Sequence, residues 1–274
     1  GSASVSYEPD LMSRTATRGG PRMAQPGSVA LSLGLGTDNR KLLSLSPKVG
    51  ITRGRDGSGD AVQASLGVTL QPSTRLLVTL EPSYRNTTDG AQFVTATSAL
   101  PYAPTYGTRY LFADLDRTDL SMVTRVNMTF TPRLSLEMFA QPFVSTGDFV
   151  TYKQLAAPER YDFDVFQEGS VSRAGCAGGR TCEDGSNQRF VDFDGDGTAD
   201  LTFTDRDFNV RSLRSTAVLR WEYRPGSTVF FVWQHRQAGQ STQGDFDPGR
   251  DLGALFDAPS DDVFIVKANV WLSW

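Results

Sequence analysis

The sequence predicts an all-β chain folded as a transmembrane antiparallel up-and-down β-barrel, with about 12 strands and long extracellular loops. Three observations predict it. Apolar residues recur at every second place over segments of about the 9 to 11 residues that cross a bilayer as a tilted strand. The connections between those segments mostly alternate long with short. The chain ends on a segment with one apolar and one polar face, in which Phe264, Val266, Ala268, Val270, Leu272 and Trp274 alternate with Lys267, Asn269 and Ser273.

Length and composition set the bounds. A chain of 274 residues suits one barrel domain over residues 1–274. No apolar run approaches the roughly 20 residues of a transmembrane helix, whereas a barrel hides its membrane character from hydropathy by alternating lipid-facing with lumen-facing residues. The formal net charge of −4 argues against nucleic acid as a partner, because phosphate contacts drive that binding. The cysteine pair, Cys176 and Cys182, lies in a Gly-rich stretch without a neighbouring histidine. A local disulfide in an oxidising compartment fits it better than zinc. No export signal is visible ahead of Gly1 and Ser2, which read as a cloning remnant, so a processed chain or a fragment is expected.

In chain order, residues 3–7 suit a short strand, and the basic Gly/Pro-rich segment 13–27 suits a loop. Alternation then begins with Val29, Leu31, Leu33 and Leu35. It continues with Leu43, Leu45, Val49 and Ile51, a strand in which Pro47 is awkward because it cannot donate a ladder bond. Val62 to Leu70 and Leu76 to Tyr84 follow, separated by the turn QPST. Residues 92–97 and 109–115 are read as two separate strands, with a loop near Asp89 and a turn near Asp116. Leu120 to Phe130 and Leu134 to Val144 flank the turn TPR. An extracellular loop insertion of about 148–207 precedes Leu213 to Tyr223, the turn PGS and Val229 to Trp233. A second long loop, about 239–261, precedes the closing strand. Counted back from the C-terminus, both chain ends fall on the periplasmic side. Trp221, Tyr223, Phe130, Tyr84 and Trp274 stand near strand ends, where an interfacial girdle belongs.

The closing segment is similar to the C-terminal assembly signal of bacterial outer-membrane barrels, carried here by Phe264, Val266, Val270, Leu272 and Trp274. Longer phrases narrow the resemblance: TRGGPRM, TYGTRYLFADLDRTDLSMVTRVNMTFTPRLSLEMFAQPFVSTGDF, YKQLAAPERYDFDVF and DFNVRSLRSTAVLRWEYRPGSTVFFVWQ. Together they resemble the C-terminal outer-membrane β-barrel region of a bacterial domain-of-unknown-function (DUF) family. Its members typically carry an N-terminal domain similar to family 9 carbohydrate-binding modules. The resemblance spans most of residues 15–274. It implies a multi-pass protein of the bacterial outer membrane, with outer-membrane lipid and the barrel-assembly machinery as partners. It also implies a glycan ligand reached through an N-terminal domain outside this chain, and it supplies no activity to carry over.

Two groups of residues bear on chemistry. Asp192, Asp194, Asp196, Gly197 and Asp200 stand in the frame DxDGDGxxD. Alternate carboxylates can converge on a hard cation, with the carbonyl of Thr198 as a further oxygen. Phe203 occupies the twelfth place, where an EF-hand needs a bidentate Glu, so the frame looks more like the nine-residue calcium loops of dockerin or FG-GAP-type repeats. Calcium is therefore the expected cofactor, and a solvated acidic turn is the alternative. The second group follows from the barrel: Glu81, Arg85, Arg125, Glu137, Arg214, Arg220, Glu222, Arg224 and Lys267 oppose the apolar face and would line the lumen. They either pair across strands and fill the interior, or line a channel selective for anions.

No catalytic residue is expected. The lone His235 falls in phase with the apolar face, with no serine placed beside it by the sequence, so an enzyme is not predicted. The expected function is that of an outer-membrane anchor or surface component linked to glycan binding or uptake. The alternative is a porin for small anionic solutes such as acidic oligosaccharides.

Overall fold

Side chains alternate between the two faces of a strand, and cross-strand pairing extends each face across a sheet. The computed structural model, which describes residues 1–172 and 175–272, carries this through one large antiparallel sheet. The strands are β1 Ser2–Glu8, β2 Leu11–Ser13, β3 Met23–Gln25, β4 Ser28–Gly34, β5 Leu43–Gly54, β6 Gly59–Ser73, β7 Leu76–Thr97, β8 Arg109–Thr131 and β9 Leu134–Leu155. They continue with β10 Phe163–Val165, β11 Ser170–Val171, β12 Cys176–Ala177, β13 Thr181–Asp184, β14 Gln188–Val191, β15 Leu201–Thr204, β16 Phe208–Arg224, β17 Ser227–Ser241 and β18 Ser260–Asn269. One α-helix, α1, spans Pro248–Phe256.

The sheet is a meander. Its main path of ten strands runs β1-β4-β5-β6-β7-β8-β9-β16-β17-β18, with β10 added beside β9. Between β1 and β18 no pairing exists among the described residues, so the architecture established is an all-β antiparallel sheet with two edges.

The two faces differ in kind. One cross-strand row reads Leu43, Leu70, Val78, Val126, Met138, Ala217, Trp233 and Phe264. The neighbouring row, on the other face, reads Ser44, Thr69, Thr79, Arg125, Phe139, Thr216, Gln234 and Val263. Many members of the apolar face are exposed, among them Leu31, Ile51, Leu66, Met138, Phe231 and Phe264. Pro47 is tolerated because it sits just past the end of β4, where its carbonyl still accepts from Leu35 N at 3.0 Å and only the donor it lacks is missing from the ladder.

The path holds ten strands where the sequence suggested about 12. The segments 92–97 and 109–115 are not separate strands but the upper parts of β7, 22 residues long, and β8, 23 residues long. Register shifts at Asp89/Gln92, Phe93/Thr95 and Phe112/Asp114 change the phase of alternation, which the sequence presents as turns. Both ends of the main path lie with the short turns at residues 74–75, 132–133 and 225–226. The first long connection begins at residue 156, because β9 continues to Leu155, and it folds into the short strands β10 to β15. The segment expected as an N-terminal loop, 13–27, overlaps the hairpin β2–β3, which starts at Leu11.

The buried core lies at the upper ends of β7, β8 and β9, beyond the apolar band. On one face Val94, Leu111, Ala113, Phe149 and Tyr152 pack against Phe166, Val191 and Phe193 of the 156–207 segment. On the other, Phe112 and Leu155 pack against Met23, with Ala16, Phe93, Tyr161 and Phe163 around them. Consecutive residues Leu111, Phe112 and Ala113 are thus all buried, on alternating sides. A polar network crosses the first of these cores: Tyr152 Oη donates to Asp205 at 2.9 Å, and Arg189 donates to Asp205 and Glu168, each at 2.8 Å. In the second long loop, Asp247 caps α1 by accepting from Arg250 N at 2.9 Å. The helix is held to β16 and β17 by Asn209 Nδ2 donating to Asp251 and by Gln237 Nε2 donating to the carbonyls of Phe256 and Ala258.

Replacing the fully buried Phe112 with alanine removes the ring shared by Phe93 and Phe163. The expected loss is about 3–5 kcal/mol, read by hydrogen exchange as lost protection in residues 91–97 and 109–115. Protection of β16 and β17 next to the 225–226 turn is expected to stay unchanged.

Candidate functional site

The polar face gathers most of the charged residues that the sequence assigned to an interior. Register sets Arg85 opposite Asp119, Arg125 opposite Thr79 and Phe139, Glu81 opposite Val123, and Glu137 opposite Asn127 and Val218. Arg220 lies between Ser135 and Phe230, Lys267 lies opposite Phe230, and Glu222 lies opposite Thr228. Arg224 departs from this set, because a register shift between Glu222 and Arg224 puts it opposite Ser227. Within the set, one ion pair forms among the described residues, Arg220 to Glu222 at 3.5 Å. Arg125 instead stacks over Phe139, 5.6 Å from the ring centre.

Arg117, Asp119 and Arg236 share the polar face and were not singled out in the sequence. Their phase was available: Arg236 follows Gln234 and Phe230 at even spacing, and Asp119 precedes Ser121 and Arg125 in the same way. Asp119 accepts from Arg117 at 2.9 Å and from Ser145 at 2.6 Å. A hollow of about 790 Å³ on this face is lined by Gln141, Phe143, Ser212, Arg214 and Arg236. Another, of about 610 Å³, lies between Arg85 and Thr87 on one side and Ser13, Thr15 and Met23 of the N-terminal segment on the other. The N-terminal hairpin therefore stands over the upper end of the polar face. An ion pair between Arg22 and Glu159 ties it there.

The acidic frame folds as a tight loop between β14 and β15. Asp192, only 1% exposed, accepts from Gly195 N at 2.6 Å and from Gly197 N at 2.8 Å. Both glycines have left-handed φ, 80° and 90°, which other residues rarely adopt. Carboxylate oxygens of Asp192, Asp194 and Asp200 lie within 4.8 Å of one another. Asp196 stands outside that group and accepts from Thr198 N at 2.7 Å. Three carboxylates so close repel one another unless a cation intervenes, and hard oxygen ligands suit calcium. The disulfide Cys176–Cys182 forms as expected. It braces this loop: a Cβ on Gly175 would come within 2.9 Å of Gly197 O and Ala199 N.

Of the proposed assembly residues, Phe264 and Val266 lie on the exposed edge strand β18, and Val270 and Leu272 follow it, also exposed. Trp274 lies outside the described residues. His235 does have a serine in register, Ser215, and its Nδ1 lies 2.9 Å from Asp262 Oδ1. Trp233 Nε1 donates to the same carboxylate oxygen at 2.7 Å. No hydrogen bond joins Ser215 to the imidazole among the described residues.

Comparison with protein families, curated proteins and solved structures returns no match.

Asp207, just before β16, gives the upper domain a pH dependence. Its Oδ1 accepts from Phe149 N at 2.7 Å, and burial, with Asp205 and Asp148 nearby, pushes its pKa up to about 7. A carboxyl whose pKa is raised on folding stabilises fully below its unfolded value, and that contribution is lost as pH rises through the folded value. The domain is thus expected to melt higher at pH 4 than at pH 8, with the change centred between those limits. In Asp207→Asn, which keeps the acceptor, thermal melts should show a flatter pH profile.

Proposed function

We propose that this chain is a bacterial outer-membrane β-barrel protein that anchors a folded extracellular domain and serves a surface function linked to glycans. The observation that supports the reading is the apolar face. It runs across every strand of the main path and is exposed at many positions along it. Water disfavours so large a patch, at roughly 25 cal/mol for each Å² that lipid would otherwise cover. In a bilayer the same face becomes the lipid belt.

Closure follows from the same physics. Backbone groups on β1 and β18 cannot remain unpaired in hydrocarbon. An even count of antiparallel strands orients β1 and β18 antiparallel to each other, as a closing pair requires. Strands β5 to β9, β16 and β17 outrun the 9 to 11 residues that a bilayer needs, while β1 and β4 are shorter, and the surplus of β7, β8 and β9 carries the buried core outside it. Outer-membrane lipid and the barrel-assembly machinery are the implied partners. A glycan ligand belongs to the N-terminal domain named by the resemblance. In this reading Glu81, Arg85, Arg125, Glu137, Arg214, Arg220, Glu222 and Lys267 face the lumen, and the hairpin β2–β3 narrows its mouth.

A channel for small anionic solutes is the second reading, favoured by Arg214 and Arg236, which lack carboxylate partners within salt-bridge distance among the described residues. Calcium held by Asp192, Asp194 and Asp200, with Asp196 and Thr198 adjoining, would stiffen the extracellular loop.

The membrane reading is tested by reconstitution into vesicles and flotation. Protease is expected to cut only within the connections at one end of the sheet, 9–27, 55–58, 98–108, 156–207 or 242–259, and Leu219→Arg should block assembly at a cost of about 2–4 kcal/mol, while Val218→Arg assembles. A detergent-free, monodisperse monomer that fails to float would refute it. For the loop, calcium is expected to slow cleavage within 186–204 and chelator to restore it. Asp192→Asn should abolish the difference, and an equal cleavage rate in the unchanged protein with or without calcium would remove the ion from the account.

A further inference from the structure

We infer that Arg214 and Arg236 form an oxyanion-binding site on the polar face, for the carboxylate, phosphate or sulfate group of a solute. The starting point is register. Arg214 on β16 and Arg236 on β17 are direct cross-strand partners, and like charges in that position destabilise a sheet. No ion pair among the described residues relieves them, although Asp261 stands opposite Arg236 on β18. Neither side chain makes a hydrogen bond or ion pair with another described residue, whereas Arg220, six residues along β16, is already paired with Glu222.

The surroundings favour an anion over a solvated pair. Both arginines line the hollow of about 790 Å³, and no Asp or Glu is among the residues lining it. Gln141, opposite Arg214 on β9, adds an amide that can donate, and Ser212 and Gln240 add further polar groups. Phe143 supplies an apolar wall. A guanidinium presents a planar fork that binds a carboxylate or phosphate through two parallel bonds. Two forks on one wall can share one oxyanion or grip both ends of a larger one, and the hollow falls in the size range of small-molecule sites.

The nearest opposing acid is Asp261, which lies opposite Arg236 on the edge strand β18 without forming an ion pair. Glu81 lies in the same row on β7, three strands from Arg214, or roughly 14 Å at the usual strand spacing. That exceeds a Debye length at physiological salt, about 8 Å. Asp261 therefore acts as a competitor for Arg236, and Glu81 does not. The site deepens the channel reading and takes from it the premise that the polar face meets solvent.

The test is calorimetric titration of the full chain in detergent at fixed ionic strength, using inorganic phosphate and a uronate as probes and glucose as the neutral control. Saturable binding of at least one anion, and none of glucose, is expected. Arg214→Gln and Arg236→Gln should each weaken it by about tenfold or more. Arg220→Gln should leave it unchanged, and Asp261→Asn should tighten it. Arg214→Gln should also raise the melting temperature without anion, because the repulsion is gone, an effect that a purely structural arginine would not give. Absence of saturable binding by the folded protein, or equal binding by the two arginine variants, overturns the site. Planar-bilayer conductance separates the two claims: conduction without anion binding refutes the site and leaves the channel, and binding without conduction leaves the site and refutes the channel.

Discussion

The constraint on which the rest depends is the backbone ladder held in a single register from β1 to β18. Because side chains alternate along a strand, the pairing between the bulges carries most of the apolar residues to one side of ten successive strands and most of the charged ones to the other. A slip of one residue anywhere would turn Val126 or Met138 toward the polar face and Arg125 or Glu137 toward the apolar one. In the proposed membrane setting such a slip would cost about 2–4 kcal/mol for each arginine moved to mid-membrane. The same register places Arg214 opposite Arg236.

The same ladder explains why the molecule has its core at one end. Within the apolar band the sheet has no protein layer to pack against over much of its surface, so its side chains remain exposed in the isolated chain. Above the band, β7, β8 and β9 are covered on one face by the 156–207 segment and on the other by the N-terminal hairpin. There the side chains are packed on both faces, with clustered aromatics, a buried Arg189–Asp205 pair and a disulfide. Breaking such a buried pair from one side leaves an unpaired charge and typically costs 3–5 kcal/mol. The two regions differ in what covers them and meet along continuous strands.

This division also decides what the sequence could reveal. Leu76 to Tyr84, Leu120 to Phe130 and Leu213 to Tyr223 have one face of each kind, and their period of two is plain. The stretch from Arg109 to Leu115 is buried on both sides, so Tyr110, Leu111, Phe112 and Ala113 run together without alternation, and the bulge after Phe112 shifts the phase. Asp89 and Asp116 then look like turn residues, although Asp116 accepts from Thr88 across an unbroken ladder. The strands β10 to β15, two to four residues each, are too short to show any period. Helix α1 did announce itself, through Asp247 and Pro248 at its start and Leu252, Leu255 and Phe256 at helical spacing, but its polar neighbours masked it. The acidic loop was legible in its glycines, yet spacing alone does not separate Asp196, which turns to Thr198, from the three carboxylates that converge.

The central claim is that the apolar face meets lipid and the polar face meets water. Single spin labels placed at each position from Leu213 to Tyr223 in vesicles, with oxygen and a water-soluble nickel chelate as collision partners, test it most directly. The account predicts oxygen accessibility at odd positions and chelate accessibility at even ones, through at least Trp221. Odd positions as open to the chelate as even ones, or closed to both reagents behind a protein layer, would contradict it.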